Sequence, residues 1–470
     1  MTMSPNGAPA HGVSMLRDAS GLKPKRPLHD RLQELSAGLG PFARKVMSLS
    51  ALTAVGQGSF VVALPLLSRL YTPTDFGVFT IYLSIVNIGG PLIGLKFESA
   101  LYAARTNEEA RTTLALSILT VILMGAAATG GLYLCAEAWP AAFNPVVRLT
   151  LAFLPFGLVL AGMWSVSSAW AIRSEAISTL AVARLLQPAS MTVMQLAAAF
   201  VLPASGVVLI VAHLLSHVAY SVFVFSKTLV RSDLSSLFPT KWLDVLRHAR
   251  AQRAFPLYAL PAHMSLLAVS NLPPLLLMLF YGAGIAGECG VAYRLVAAPL
   301  AIASLPMGAI FTSVVSRRPP SVVVVRLARR VFLANLCLVS VPILLLAVAA
   351  PAIAPAVFGD GWARTGEIIA AFALLGAAQS LAAPFTEITS IFRSQALRFF
   401  IEIVPATLVI TSIFVGGLSE WDPLNTIWLM SIAGAGSTLL GLSLLWRRLP
   451  AMIEADAHDH APAGPQRPKE

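Results

Sequence analysis

Arg294, in Val291-Ala292-Tyr293-Arg294-Leu295, sits well inside an apolar stretch. A charge at such a position is costly in hydrocarbon and is kept there when it faces a cavity or a partner. A guanidinium fixed in a cavity selects anions, above all phosphate, which its planar fork grips through two parallel hydrogen bonds. Arg69 and Lys96 lie near the ends of other apolar stretches, and Asn87 and Asn271 add uncharged polarity inside them. These five are the candidate substrate contacts, with snorkelling to the interface the competing account of Arg69 and Lys96. Two carboxylates, Glu402 and Glu98, are the candidates for carrying a coupling proton or ion.

Other patterns imitate chemistry without its context. Gly282-Ala283-Gly284-Ile285-Ala286-Gly287 fits G-x-G-x-x-G literally, yet it joins two apolar stretches and no strand precedes it, so it reads as a turn. His213 and His217 have the i, i+4 spacing of a zinc pair, but position 214 is Leu where the metalloprotease motif needs Glu. They read as polar contacts within a helix bundle. Asp456, His458, Asp459 and His460 read as a solvated tail. Cys135, Cys289 and Cys337 form no CxxC and no zinc spacing, and single small apolar residues are the default account; a Cys135–Cys289 disulfide is the lesser one. No catalytic constellation, metal site or cofactor is expected.

The elements that position these residues follow from composition. A hydrophobic fraction of 57%, a charged fraction of 12% and a mean hydropathy of +0.76 lie outside the range of soluble domains. About a dozen apolar stretches of roughly 20 residues, the length that crosses a bilayer as a helix, tile Val46 to Trp446. The net charge of +11 suggests nucleic acid, but the basic residues are dispersed over alternate loops. With the N-terminus inside, Arg69, Arg148 and Arg364 fall outside, Arg294 falls within a span, and the remainder of the 33 Lys and Arg fall inside. That segregation is the positive-inside rule. No nucleic-acid partner is expected, and the fold class is an all-α polytopic membrane protein of about 12 transmembrane helices.

The expected organisation has five parts. Residues 1–45 are a polar cytoplasmic segment without a cleavable signal, with a short amphipathic piece through Leu28, Leu32 and Leu35 on the inner leaflet. Residues 46–226 form a six-helix half, 227–254 a basic cytoplasmic linker, 255–446 a second six-helix half, and 447–470 a disordered cytoplasmic tail. Pro65 before Phe76-Gly77 and Pro273 before Ala286-Gly287 recur at an offset of about 210, which suggests two halves related by an axis along the membrane normal, with a path between them.

Three stretches together resemble the polysaccharide flippase family of the multidrug/oligosaccharidyl-lipid/polysaccharide (MOP) exporter superfamily. The first runs from Ala63 to Gly77 (ALPLLSRLYTPTDFG). The second comprises Phe255-Pro256-Leu257-Tyr258, Leu272-Pro273-Pro274, Ala286-Gly287 and Tyr293-Arg294-Leu295. The third is Phe358-Gly359-Asp360-Gly361-Trp362. Glu288 and Cys289 depart from the family, which usually has an aromatic after the glycine. The resemblance implies two six-helix halves around a central, often cationic cavity. It also implies outward movement of polyprenyl-diphosphate-linked oligosaccharides for O-antigen (lipopolysaccharide), capsule or exopolysaccharide assembly in a bacterial inner membrane. Membrane lipids, a polysaccharide polymerase and export machinery would be partners. A drug/cation antiporter of the same superfamily is the alternative. A membrane-embedded polymerase or ligase is a third, disfavoured by short outer loops.

Overall fold

The computed structural model describes residues 41–102, 104, 106–138, 150–229, 242–253, 255–316, 320–386, 388–392 and 394–459. The amphipathic piece at Leu28–Leu35 and the end of the tail therefore lie outside the described residues. Among the described residues all regular structure is helical.

In the first half α1 spans Pro41–Leu70, α2 Pro73–Ile93, α3 Asn107–Ala138, α4 Leu154–Arg173, α5 Ile177–Val201 and α6 Gly206–Thr228; α7, Trp242–Ala251, lies in the linker. The second half comprises α8 (Leu260–Pro299), α9 (Leu305–Val315), α10 (Ser321–Asn335), α11 (Val341–Phe358), α12 (Thr365–Ala382), α13 (Gln395–Leu418) and α14 (Pro423–Asp459). Short π-helical stretches, Leu300–Ser304 and Leu336–Ser340, join α8 to α9 and α10 to α11 into long rods.

Among the described residues, ten helical segments are long and apolar enough to cross a membrane. The expected twelve is reached only if α5 and each arm of α8 also count. α8 is two helices meeting at Gly282, whose φ of 85° is open to glycine and breaks the rod. Val62, Phe200 and Val348 are about four-fifths exposed (81%, 80% and 81%), a placement that suits a lipid-facing surface and not water.

The start of α2 shows how local sequence sets the bundle. Thr72 and Asp75 form a capping box, with the Asp75 N–H on Thr72 Oγ1 at 3.2 Å and the Thr72 N–H on Asp75 Oδ2 at 3.0 Å. Pro73 opens the first turn, where its missing N–H costs nothing. The other Asp75 oxygen accepts the Gly206 N–H at 2.8 Å, so one carboxylate fixes the starts of both α2 and α6.

Within the first half α2 packs on α4 and α6, α3 on α4, and α5 on α6. Within the second, α12 packs on α11, α14 and α8. α2 lies against both arms of α8, and the largest apolar cluster runs through Leu64, Phe76, Phe79, Trp362 and Phe372 without a gap between the halves. Residues Met47–Glu470 form one compact unit. One boundary differs from expectation: α14 continues into the expected tail as far as Asp459. α2 ends at Ile93, leaving Lys96 and Glu98 in the following turn and 3-10 helix.

Candidate functional site

Three of the sequence signatures meet at one end of the bundle. Phe76, from the first, stacks edge-on against Trp362, from the third, with ring centroids 5.3 Å apart. The Trp362 indole N–H donates to the Ser68 carbonyl at 2.8 Å, and Arg69 Nη2 donates to the Ala356 carbonyl at 3.0 Å. Tyr71 closes the same corner with its hydroxyl on the Gln195 carbonyl at 2.8 Å. Burial and the charge of Asp75 push its phenol up to about 12.

Glycine supplies the rest of this contact. A Cβ on Gly77 would lie 1.9 Å from the Ala283 carbonyl oxygen, and a Cβ on Gly287 would lie 1.9 Å from the Pro73 carbonyl oxygen. Gly290 is likewise pressed on Thr80. Pro73 and Ala283, Gly77 and Gly287, and Thr80 and Gly290 are each 210 positions apart, so the contact is its own mirror under exchange of the halves. That reciprocity is the signature of a local two-fold between α2 and the second arm of α8.

Arg294 lies deeper, roughly 16 Å along the second arm from Ala283 at the helical rise per residue. Its guanidinium carbon sits 4.8 Å from the centre of the Phe60 ring and 5.1 Å from that of Phe79. Those rings belong to the first half, so the cation spans the two halves by cation–π contact. Among the described residues no hydrogen bond or ion pair is formed by Arg294. Phe79 is shared with a polar column: its ring is 6.0 Å from His213, whose Nδ1 is 3.4 Å from the Tyr82 hydroxyl and whose ring is 4.1 Å from His217. Gln187 Nε2 reaches His217 Nδ1 at 3.4 Å.

The remaining candidates are dispersed. Asn87 donates to Asn271 Oδ1 at 3.2 Å, joining α2 to the first arm of α8. Lys96 and Glu98 pair with each other at 3.4 Å, beyond the opposite end of α2 from Arg69 and thus roughly 30 Å from it. Burial pushes the Glu98 carboxyl up and Lys96 pulls it back; its Oε2 has no hydrogen-bond partner. Glu402 is held by Arg398 one turn away at 2.9 Å. Cys135 is exposed and Cys289 buried, both as free thiols.

The partners of Arg294 carried no signal in the sequence: Phe60 and Phe79 are aromatic residues in apolar helices, and Trp362 stood out only as part of a family-like motif. What geometry adds is that Arg294, Arg69 and Trp362 each tie one half to the other.

A family model described as "Polysaccharide biosynthesis protein" matches residues 66–367. No curated protein matches the sequence. Among solved structures, the lipid II flippase MurJ in an inward closed conformation superposes with a TM-score of 0.63 at 13% identity, over 90% of this chain and 93% of that one. An inward-facing multidrug resistance MATE family transporter of the MOP superfamily gives 0.55 at 14% identity, over 87% and 96%. A MOP superfamily transporter from Pyrococcus furiosus gives 0.55 at 15% identity, over 88% and 97%. At these identities the likeness is one of fold alone.

Proposed function

The chain belongs to the polysaccharide biosynthesis protein family, and on that premise we propose that it is a flippase. Its cargo would be a polyprenyl-diphosphate-linked oligosaccharide, moved from the cytoplasmic to the outer leaflet of a bacterial inner membrane for O-antigen, capsule or exopolysaccharide assembly. The observation that carries this reading is Arg294, a guanidinium between the halves with no anionic partner among the described residues. A diphosphate supplies what the Phe60 and Phe79 rings cannot, paired acceptors for the guanidinium fork.

By the positive-inside rule the Thr72 end would face outward. The closure there would then make this state closed outward. Cargo phosphate would draw Arg294 off the aromatic rings and so weaken one of the ties between the halves. The other ties, Arg69 to Ala356 and Trp362 to Ser68, would break as that end opens, with the polyprenyl tail remaining in lipid. Asn87 and Asn271 would line the path; a polymerase and export machinery would be the downstream partners. The antiporter reading is weaker because its coupling carboxylates are engaged, Glu402 by Arg398 and Glu98 by Lys96.

The test is reconstitution in liposomes with a polyprenyl-diphosphate oligosaccharide. The expected result is transfer between leaflets with the lipid-linked sugar unchanged by mass spectrometry. A lengthened or transferred glycan made by the purified protein alone would promote the polymerase or ligase reading instead.

A further inference from the structure

Away from the closure, where α3 begins and α4 and α6 end, a cavity of about 290 Å³ is lined by Asn107, Arg111, Trp170, Arg173, Ser174 and Thr228 among others. Trp170 and Arg173 are i, i+3 on the last turn of α4 and share one face. Trp170 is only 6% exposed, and its indole N–H has no acceptor. Arg173 Nε is also buried without an acceptor. Buried donors left unpaired are costly and rare in folded proteins, so two beside one cavity call for a group that accepts from both.

The surrounding charge favours an anion. Arg111 lines the cavity from α3, whose N-terminus at Asn107 presents the positive end of a 32-residue helix. The acids beside it do not line the cavity: Glu108 is exposed, and Glu109 is near enough to His248 of α7 to act on it electrostatically. The last carbonyls of α4 are bonded, Trp170 to the Ser174 N–H at 2.8 Å and Ala171 to the Ala176 N–H at 2.9 Å, which reduces the opposing negative end of that helix. In size the cavity sits at the small end of ligand pockets, roughly 300 Å³, which suits a headgroup and not an oligosaccharide. Basic pockets between the cytoplasmic ends of spans are a recurrent way to hold anionic lipid headgroups.

We propose that this cavity is a phosphate-ester site, in which Arg173 Nε, the Trp170 indole N–H and the Arg111 guanidinium hold the phosphate of an anionic lipid headgroup or a free phosphate anion. The site lies within the first half, apart from Arg294, and does not depend on the flippase reading.

The test uses the full chain in a maltoside detergent, which carries no phosphate. Thermal unfolding is followed in one arm against inorganic phosphate, with chloride at matched ionic strength as reference, and in a second arm against added phosphatidylglycerol. The wild-type protein is expected to be stabilised by phosphatidylglycerol; stabilisation by inorganic phosphate as well makes the site a general phosphate site. Trp170→Phe keeps the ring and removes the N–H, and should weaken the apparent affinity about tenfold or more. Arg173→Gln should abolish binding, and if that variant does not fold, Trp170→Phe alone decides. No stabilisation in either arm, or equal affinity in wild type and Trp170→Phe, overturns the proposal. Transport is not measured, so the outcome is separate from that of the liposome experiment.

Discussion

Gly287→Ala adds one methyl group at the point where the two halves come closest. Its Cβ would lie 1.9 Å from the Pro73 carbonyl oxygen and 2.6 Å from the Gly77 nitrogen. Carbon and carbonyl oxygen make contact at about 3.3 Å, so α2 and the second arm of α8 must part by about 1.4 Å there. Both partners of the clash are backbone atoms, which no rotamer change can clear. Forced overpacking of this kind costs about 1–3 kcal/mol. The strain exists only while this end is closed, and it should therefore move the open–closed equilibrium by about 5- to 150-fold toward the open state. Global stability should change less, because opening relieves the strain without unfolding the halves.

Spin labels on exposed Thr74→Cys and Arg364→Cys, in a background lacking the native cysteines, report the distance across the closure. Gly287→Ala should shift that distribution to longer distances, as should Gly77→Ala, whose Cβ meets the Ala283 carbonyl oxygen. The double variant should shift it by less than the sum, since either methyl alone separates the same pair of helices. Gly284→Ala is the control: nothing lies within 4 Å of its Cβ, and the distribution should not move. A folded Gly287→Ala protein with an unchanged distribution would refute the account of the glycines as the closure.

Arg294→Ala is expected to abolish surface glycan export at near-normal protein levels, and Arg294→Lys to retain part of it because the charge stays and the fork is lost; normal export by the alanine variant, measured beside a membrane immunoblot, would remove the residue from the cargo path. Trp362→Phe keeps the contact with Phe76 and loses the hydrogen bond to the Ser68 carbonyl, so the same spin labels should show the closed state weakened by about 1 kcal/mol. His248 joins α7 to Thr113 at 2.8 Å, and its burial holds the imidazole below its ordinary value. A lowered folded pKa means the unfolded segment binds the proton first, so α7 docking is fully stable above about pH 6.5 and is lost as pH falls through the folded value. Amide exchange across Trp242–Ala251 should quicken on that descent, and His248→Gln should flatten the pH dependence. Topology reporters fused at Ala204 and Asp422 should read outside and those at Asp244 and Pro320 inside; a swap at any of the four would break the span assignment.

The spans were legible because hydrocarbon demands long apolar runs, and the break at Gly282 because two such runs need a turn between them. The three glycines of Gly282-Ala283-Gly284-Ile285-Ala286-Gly287 then part company in the structure: Gly282 supplies the positive φ, Gly284 faces open space, and Gly287 admits a backbone from the other half. No sequence pattern separates those roles, since the last depends on a helix some 210 residues away. The end of α2 is hidden from sequence for a related reason: Leu95 and Lys96 carry left-handed φ values of 47° and 59°, a turn that hydropathy alone does not register. Among the charges, sequence reasoning could rank depth but not company. Lys96 with Glu98 and Arg398 with Glu402 look in isolation like free functional charges, and packing turns each into a local pair. Arg294 survives that filter because its neighbours are two phenylalanines, which stabilise a cation without neutralising it. In the flippase proposed above, an anion that arrived between the halves would meet a guanidinium whose charge is uncompensated, and binding it there would loosen a tie between the halves.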